Sequence, residues 1–374
     1  MGTIKRTFAN NLTSAGKINS TNLDSVVPAS NIANSSVTNV TSVAPALGAS
    51  IKGVAGNPPS PSQALGDMWY DTNIGVLKNV GQSTAAWASG GSLNTSSRDR
   101  GGSGPQTAAI VFGGQPRPGQ APTANTETYD GSSWTEVGNL NTGRSQGAPA
   151  HAGSQTATLY AGGGVEPPGA FVDSSEEYDG TSWSEGNNLV SGAAGQTGGG
   201  GTQTAGLKYG GKNPSTTGDT EEYDGTSWSE VNNMNTARRQ ASGAGPQTAN
   251  LASGGNQSPS NVVEEYDGTT WTNGGSLVDD GRHLGGSGGS STSGVFFAGV
   301  EEGPGNYTVK TEVYDGTSWA VSANMASARQ RITGMGSASA AMGAAGYPPS
   351  SPKSNAVEEF TGIAPTIKTV TTST

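Results

Sequence analysis

The sequence contains no cysteine. Disulfides, thiolate nucleophiles and cysteine-ligated metals are therefore excluded, and the redox compartment is not readable from it. Histidine is nearly absent as well: His151 and His283 are the only two, far apart and without ligand spacing, which argues against a metal site. Lysine and arginine number 19 against 29 aspartates and glutamates, a net charge of −10, so the clustered basic surface that nucleic acid requires is missing. No apolar run approaches the length of a transmembrane helix, so no membrane insertion is expected. The start, Met1-Gly2-Thr3-Ile4-Lys5-Arg6, lacks the apolar stretch of a secretory signal, and Arg6 stands where a myristoylation motif takes Ser or Thr. Neither a phosphate loop nor a Gly-x-Ser-x-Gly elbow occurs in a strand-to-helix setting, and Gly198–Gly201 is a glycine run in a strand region. No cofactor is expected.

Glycine is what the chain has in excess, with 60 of 374 residues. The hydrophobic fraction of 31% looks low, but the glycines bring the apolar-plus-glycine share close to that of a globular protein. Bulk has been exchanged for glycine, which suits thin, closely stacked sheets with many turns and argues against a helical fold.

Beyond residue 80 one phrase sets the rhythm: Tyr223-Asp224-Gly225-Thr226-Ser227-Trp228, with near-copies at Tyr129–Trp134, Tyr178–Trp183, Tyr266–Trp271 and Tyr314–Trp319. A run of β-formers ending in Tyr, then Asp-Gly, then a run opening on Trp predicts two antiparallel strands joined by a tight turn, with Asp-Gly tolerating positive φ. The aspartates read as turn residues rather than metal ligands or catalytic acids.

The tryptophans recur at Trp87, Trp134, Trp183, Trp228, Trp271 and Trp319, spaced 43 to 49 residues apart. Other landmarks keep phase. An arginine follows ten or eleven residues later at Arg98, Arg144, Arg238, Arg282 and Arg329, with Ala193 in the remaining unit. A strand then ends in a glycine pair, as at Gly113-Gly114, thinning to Gly299 and Gly346 alone in the last two units. A glutamate precedes each Tyr by two, at Glu127, Glu176, Glu221, Glu264 and Glu312, and Glu358 precedes Phe360. A fixed period filled with short strands is the signature of a propeller. The pattern resembles the kelch β-propeller family, whose motif is a Gly pair, a Tyr in the third strand and a Trp in the fourth. The resemblance covers about 83–362 and implies an all-β, six-bladed propeller.

Counting predicts how the ring closes. Third strands and Trp strands both number six, but the first Trp strand precedes any complete unit, and Pro365 breaks the position after Phe360. The Trp87 strand is expected to complete the last blade, with Ile367–Val370 as the alternative closure. Closing the ring removes open edges.

Glu and Tyr at i and i+2 share a strand face. The recurring Arg and Glu read as structural ion pairs rather than a catalytic ring, and Ala193 predicts one Glu with a different partner. The tryptophans read as inter-blade packing rather than sugar-stacking platforms. A copper-radical oxidase resembling galactose oxidase needs a cysteine, and a sialidase needs arginines gathered at the axis, so no enzyme is expected. What varies between units is the loop joining second and third strands, and there Phe171, Tyr307 and Tyr347 are expected as exposed aromatics on a binding face.

Residues 1–65 are rich in Asn, Ser, Thr and Ala, with Ile18, Leu23, Val27, Ile32 and Val37 spaced for neither helix nor strand. They are expected to be an extended anchoring segment bounded by Pro58, Pro59 and Pro61. Residues 66–82 read as a hairpin linker turning at Thr72–Gly75, and 363–374 as a tail. A polar leader, then Gly66-Asp67-Met68-Trp69-Tyr70-Asp71, then Tyr-Asp-Gly-Thr-Ser-Trp repeats resembles appendage proteins of tailed bacteriophages, particularly those of marine cyanobacteria. This implies a virion structural protein docked on other virion proteins through residues 1–65. It implies a propeller that meets a host surface glycan or protein, and it leaves self-association open. A cellular kelch interaction module and a glycan-active enzyme are the alternatives.

Overall fold

The computed structural model describes residues 51–369, apart from 55–67, 72, 74–75, 118–119, 167–169, 193, 213, 280–284, 302–304 and 352. The anchoring segment expected over 1–65 lies outside the described residues except for Ile51–Val54. The chain forms two compact units, one drawn from residues up to Thr84 and from Ile363 onward, the other spanning Ala85–Gly362. All described secondary structure is β.

The first unit is a four-stranded sheet. Met68–Asp71 pairs antiparallel with Val76–Gln82, the two-strand pairing its sequence predicts. Ile51–Val54 adds in parallel on one side, and Pro365–Thr369 adds antiparallel on the other. Within the stretches expected as a linker and a tail, Met68–Asp71, Val76–Gln82 and Pro365–Thr369 are thus strands of one sheet. Trp69 is buried in it, 2% exposed.

The second unit is a six-bladed β-propeller. Blade 1 consists of Gly101–Ser103, Ile110–Phe112, Thr126–Tyr129 and Trp134–Val137, hydrogen-bonded in that order. Blades 2 to 5 repeat this meander over 148–185, 198–231, 242–273 and 286–321. Blade 6 takes three strands from 333–361 and its fourth from Ala86–Ser89, with Phe360 opposite Trp87. The Trp87 strand closes the ring. The alternative closure through Ile367–Val370 is ruled out for Ile367–Thr369, which pair with Val76–Gln82 instead.

The hairpins themselves differ from expectation in one respect. Tyr129 and Trp134 are paired across a four-residue loop, not a two-residue turn. Only Gly131 is at positive φ, +94°. Asp130 acts through its side chain, accepting from the Ser132 and Ser133 amides at 2.9 and 2.8 Å. Asp179, Asp224, Asp267 and Asp315 do the same. These backbone donors hold the exposed Asp130 carboxyl low, near 2.

The core is a set of slabs between adjacent blades rather than one central mass. Between blades 1 and 2, for example, Ile110, Phe112 and Leu140 meet Tyr160, Tyr178 and Trp183. The innermost strands are rich in glycine because they crowd together. A Cβ on Gly199 would stand 2.5 Å from the Pro149 carbonyl oxygen, and one on Gly334 would stand 2.2 Å from the Ser287 nitrogen. Part of the glycine excess in the composition is this requirement.

Candidate functional site

Most of the repeated polar side chains are committed to structure, the Glu and Arg within each blade and its entry segment. Glu176 lies with Arg144 at 2.6 Å, Glu264 with Arg238 at 3.3 Å and Glu358 with Arg329 at 2.9 Å, all buried. Burial lowers the pKa of Arg238 and Arg329, and the paired carboxylates oppose that shift. Each glutamate also accepts backbone amides from the segment that crosses between blades, such as Asn141 and Thr142 on Glu176. Glu312 accepts the Val278 and Asp279 amides, and Arg282 lies outside the described residues.

Two junctions use different cations. Glu221 lies 3.6 Å from Lys208, which reaches in from the second strand of blade 3, and it also accepts from the Ser191 hydroxyl. Ala193 itself is outside the described residues, and the buried Ala194 occupies the arginine's register. Arg98 corrects the sequence reading, because Glu127 pairs with Arg100 at 3.1 Å instead. Backbone register explains the slip. The second glycine of each pair donates to the residue at the arginine position of the next blade, as Gly114 does to Arg144 and Gly163 to Ala194. Gly346 donates to Ser97, so Ser97 and not Arg98 is the true counterpart. Arg98 instead bonds Gln115 at 2.9 Å and lies 5.2 Å over the Tyr347 ring.

The tryptophans pack between blades. Trp134, Trp183, Trp228, Trp271 and Trp319 are 5–7% exposed. Trp87 is half-buried against Phe297 and Phe360, with centroids at 4.8 and 5.2 Å. Trp87, Trp183 and Trp271 donate their indole N–H to Thr311, Thr126 and Thr220 of the preceding blade at 3.0–3.1 Å. Trp228 reaches Ser175 at 3.5 Å. A further repeat went unread in the sequence. Gln106, Gln155, Gln203 and Gln247, in the turns between first and second strands, each donate to carbonyls of the preceding blade. Recurrence of Gln-Thr-Ala after Gly-Pro, Ser or Thr was the available signal.

With these groups committed to structure, attention falls on the face where first strands begin and second strands end. Bridges such as Arg98–Gln115 and Gln330–Tyr347 place those two segments side by side. The three aromatics expected to be exposed there are half-buried. Tyr307 and Tyr347 lean on each other at 5.8 Å, and Gln330 donates to the Tyr307 hydroxyl at 2.7 Å. Phe171, in a short ribbon opposite Gly164, lies against Gly195 so closely that a Cβ there would meet its ring at 2.1 Å. Each ring finds a neighbour because the loops lie down on adjacent first strands.

At the centre of this face Asp99, Gln146, Gln196, Gln240 and Arg331 hold the same position, two residues before the first strand pairs. All five are left-handed, with φ of 55–61°. Their backbones form a chain of hydrogen bonds: Asp99 donates to Arg331, Gln146 to Asp99, Gln196 to Gln146 and Gln240 to Gln196, at 2.8–3.2 Å. Leu284, the sixth position in the sequence register, is outside the described residues. The five side chains line an axial cavity of about 100 Å³. At the opposite end a cavity of about 560 Å³ is lined by the turns between first and second strands, and His151 borders both. Burial lowers the His151 pKa to about 4, against an opposing backbone hydrogen bond to Gly334. Among the described residues no group of three or more His, Asp or Glu is placed to hold a metal ion.

No family model and no curated protein matches the chain. Among solved structures it is similar to that of YjhT, at 12% identity and a TM-score of 0.60, covering 74% of this chain and 99% of that one. At that identity the likeness is one of fold, and it agrees with the propeller seen here.

Proposed function

We propose that the chain is a non-enzymatic virion structural protein of a tailed bacteriophage, a tail fibre, tail-tip or other surface appendage. In this reading residues 1–65 dock on other virion proteins and the propeller turns a binding face toward a host receptor. One observation carries the proposal. The repeated Glu side chains and the Arg and Lys that pair with them are spent on holding each blade and its entry segment together, and the repeated Trp and Gln on contacts with the preceding blade. The face bearing Phe171, Tyr307, Tyr347 and the axial mouth is left as the part that differs from blade to blade. A rigid ring with variable loops on one face is the architecture of a recognition module. The order of leader, hairpin and repeats supports the virion setting.

Deleting residues 1–65 in the phage genome tests the docking half. Particles lacking the protein, alongside a truncated chain that still folds, are the expected result. Incorporation of the truncated chain at normal copy number would instead favour a cellular interaction module. Incubating the purified protein with host surface glycans and finding cleaved or oxidised products would overturn the non-enzymatic reading.

A further inference from the structure

We infer that the axial mouth is a binding site for an uncharged, polyhydroxylated ligand, the terminal neutral sugar of a host-surface glycan. The inference deepens the receptor-binding reading above and rests on it.

Among the described residues, the arginines that line the cavity are paired. Both carboxylate oxygens of Asp99 accept from Arg331 Nη1 at 3.1 Å, and Arg100 is held by Glu127 at 3.1 Å. Arg98 also approaches Asp99, at 3.7 Å, but its guanidinium is engaged by Gln115 and Tyr347. An anionic ligand would find each lining cation already neutralised, and a cationic one would find each anion paired. What remains on the lining is amide and hydroxyl. Gln146, Gln196 and Gln240 border the cavity, and Gln240 donates to Gln196 at 3.2 Å. That bond uses one donor and one acceptor of the pair and leaves the other amide functions to a ligand. Thr197, 8% exposed, also lines the cavity, and its hydroxyl has no partner among the described residues.

The wall below the rim has the same character. The first strand of every blade is hydrogen-bonded within its sheet on one side only. Along the cavity Gly198 and Gly199 present backbone rather than side chains, while the Gly147 amide is already given to the Tyr160 hydroxyl and the Gly243 carbonyl to Ser287. Neutral donors and acceptors set close together at fixed spacing complement vicinal hydroxyls, each of which both donates and accepts.

The test is saturation-transfer NMR on the purified full chain. The probes are the methyl glycosides of glucose, galactose, mannose and N-acetylglucosamine, run beside glucuronic acid and N-acetylneuraminic acid. Transfer to at least one neutral glycoside is expected, with affinity falling about tenfold in Gln196→Ala and in Gln240→Ala. Both variants should keep the melting temperature of the parent. Thr197→Val gives an independent variant, and Thr107→Ala, at the far end of the channel, should bind as the parent does. Transfer to the acidic sugars alone, binding that survives Gln196→Ala and Gln240→Ala, or no transfer to any probe would overturn the inference. Host-cell adsorption of particles, measured in parallel, keeps the two readings apart. Adsorption that requires the propeller without any sugar signal sinks this site while sparing receptor binding.

Discussion

Tyr266 on blade 4 donates its hydroxyl to the Glu222 carboxylate on blade 3 at 2.8 Å. The same bond joins Tyr129 to Glu359 at 2.6 Å, Tyr223 to Glu177 at 2.5 Å, and Tyr314 to Glu265. It is missing at two junctions among the described residues. Tyr178 of blade 2 faces a blade 1 that carries Thr128 at the glutamate's position. Where blade 6 meets blade 5, the hydroxyl-bearing ring is replaced by Phe360 and the carboxylate by Val313, and the two side chains belong to one apolar cluster. At that second junction donor and acceptor have been lost together. Replacing Tyr266 by Phe should therefore destabilise the propeller by about 1.5–3 kcal/mol, the range for a hydrogen bond to a charged acceptor. Making Val313→Glu in a Phe360→Tyr background should cost less than Val313→Glu alone. Chemical denaturation of the parent, Tyr266→Phe, Val313→Glu, Phe360→Tyr and the double variant checks both, and a coupling of zero would contradict the bond's role.

These tyrosines also set the alkaline limit. Burial, and then the carboxylate partner, raises Tyr129 and Tyr314 to about 12 from an ordinary value of 10. The folded state thus holds protons that the unfolded chain releases. The contribution is fully present below pH 10 and is lost as pH rises from 10 toward 12. Melting temperatures should be level up to pH 10 and fall above it, less steeply in a Tyr129→Phe, Tyr314→Phe double variant.

His151 gives the opposite sign at the acid end. Its pKa is depressed to about 4 from 6.5, so its contribution is present above pH 6.5 and lost as pH falls toward 4. A His151→Gln variant should show a flatter stability profile between pH 6.5 and 4. A slope equal to that of the parent would mean that other groups govern acid sensitivity.

Lys208 takes an arginine's role from an unrelated strand position, so its loss should behave like loss of an arginine. Lys208→Ala leaves the buried Glu221 without its cation and should cost about 3–5 kcal/mol. Arg98→Ala leaves the Arg100–Glu127 pair intact and should cost far less. Equal losses in urea denaturation would refute the reassignment.

The indole partners make a finer prediction. The Trp134 and Trp319 N–H groups have no partner among the described residues, and Val357 and Val263 share their clusters where other junctions offer Thr or Ser. Thr220→Val should reproduce that state for Trp271 at a cost of about 1 kcal/mol or more. Trp271→Ala should cost about 3–5 kcal/mol.

The scaffold was legible because its landmarks are chemically rare. Trp, Tyr and paired Gly recur at fixed intervals, and counting them predicted six blades and the Trp87 clasp. Counting failed where the chain slips by a residue. Arg98 sits at the right distance from Trp87, but the backbone puts Ser97 in register, and a sequence carries no record of that hydrogen bond. The rim was harder still to see. Asp99, Gln146, Gln196, Gln240 and Arg331 share a backbone conformation rather than a side-chain type, so no motif connects them. The loop aromatics, expected to be exposed, are half-buried, a state that depends on loops folding onto a neighbouring blade.

Because Phe360 meets Trp87 in a single sheet, the circle stays incomplete until the strand that carries Phe360 has left the ribosome, more than 270 residues after the one that carries Trp87. During translation the early blades must wait with one flank bare, and each nascent chain offers its neighbour on a polysome the strand it lacks. Fidelity of assembly then depends on how quickly the last strand emerges to meet the first, and on chaperones that keep growing chains apart until it does.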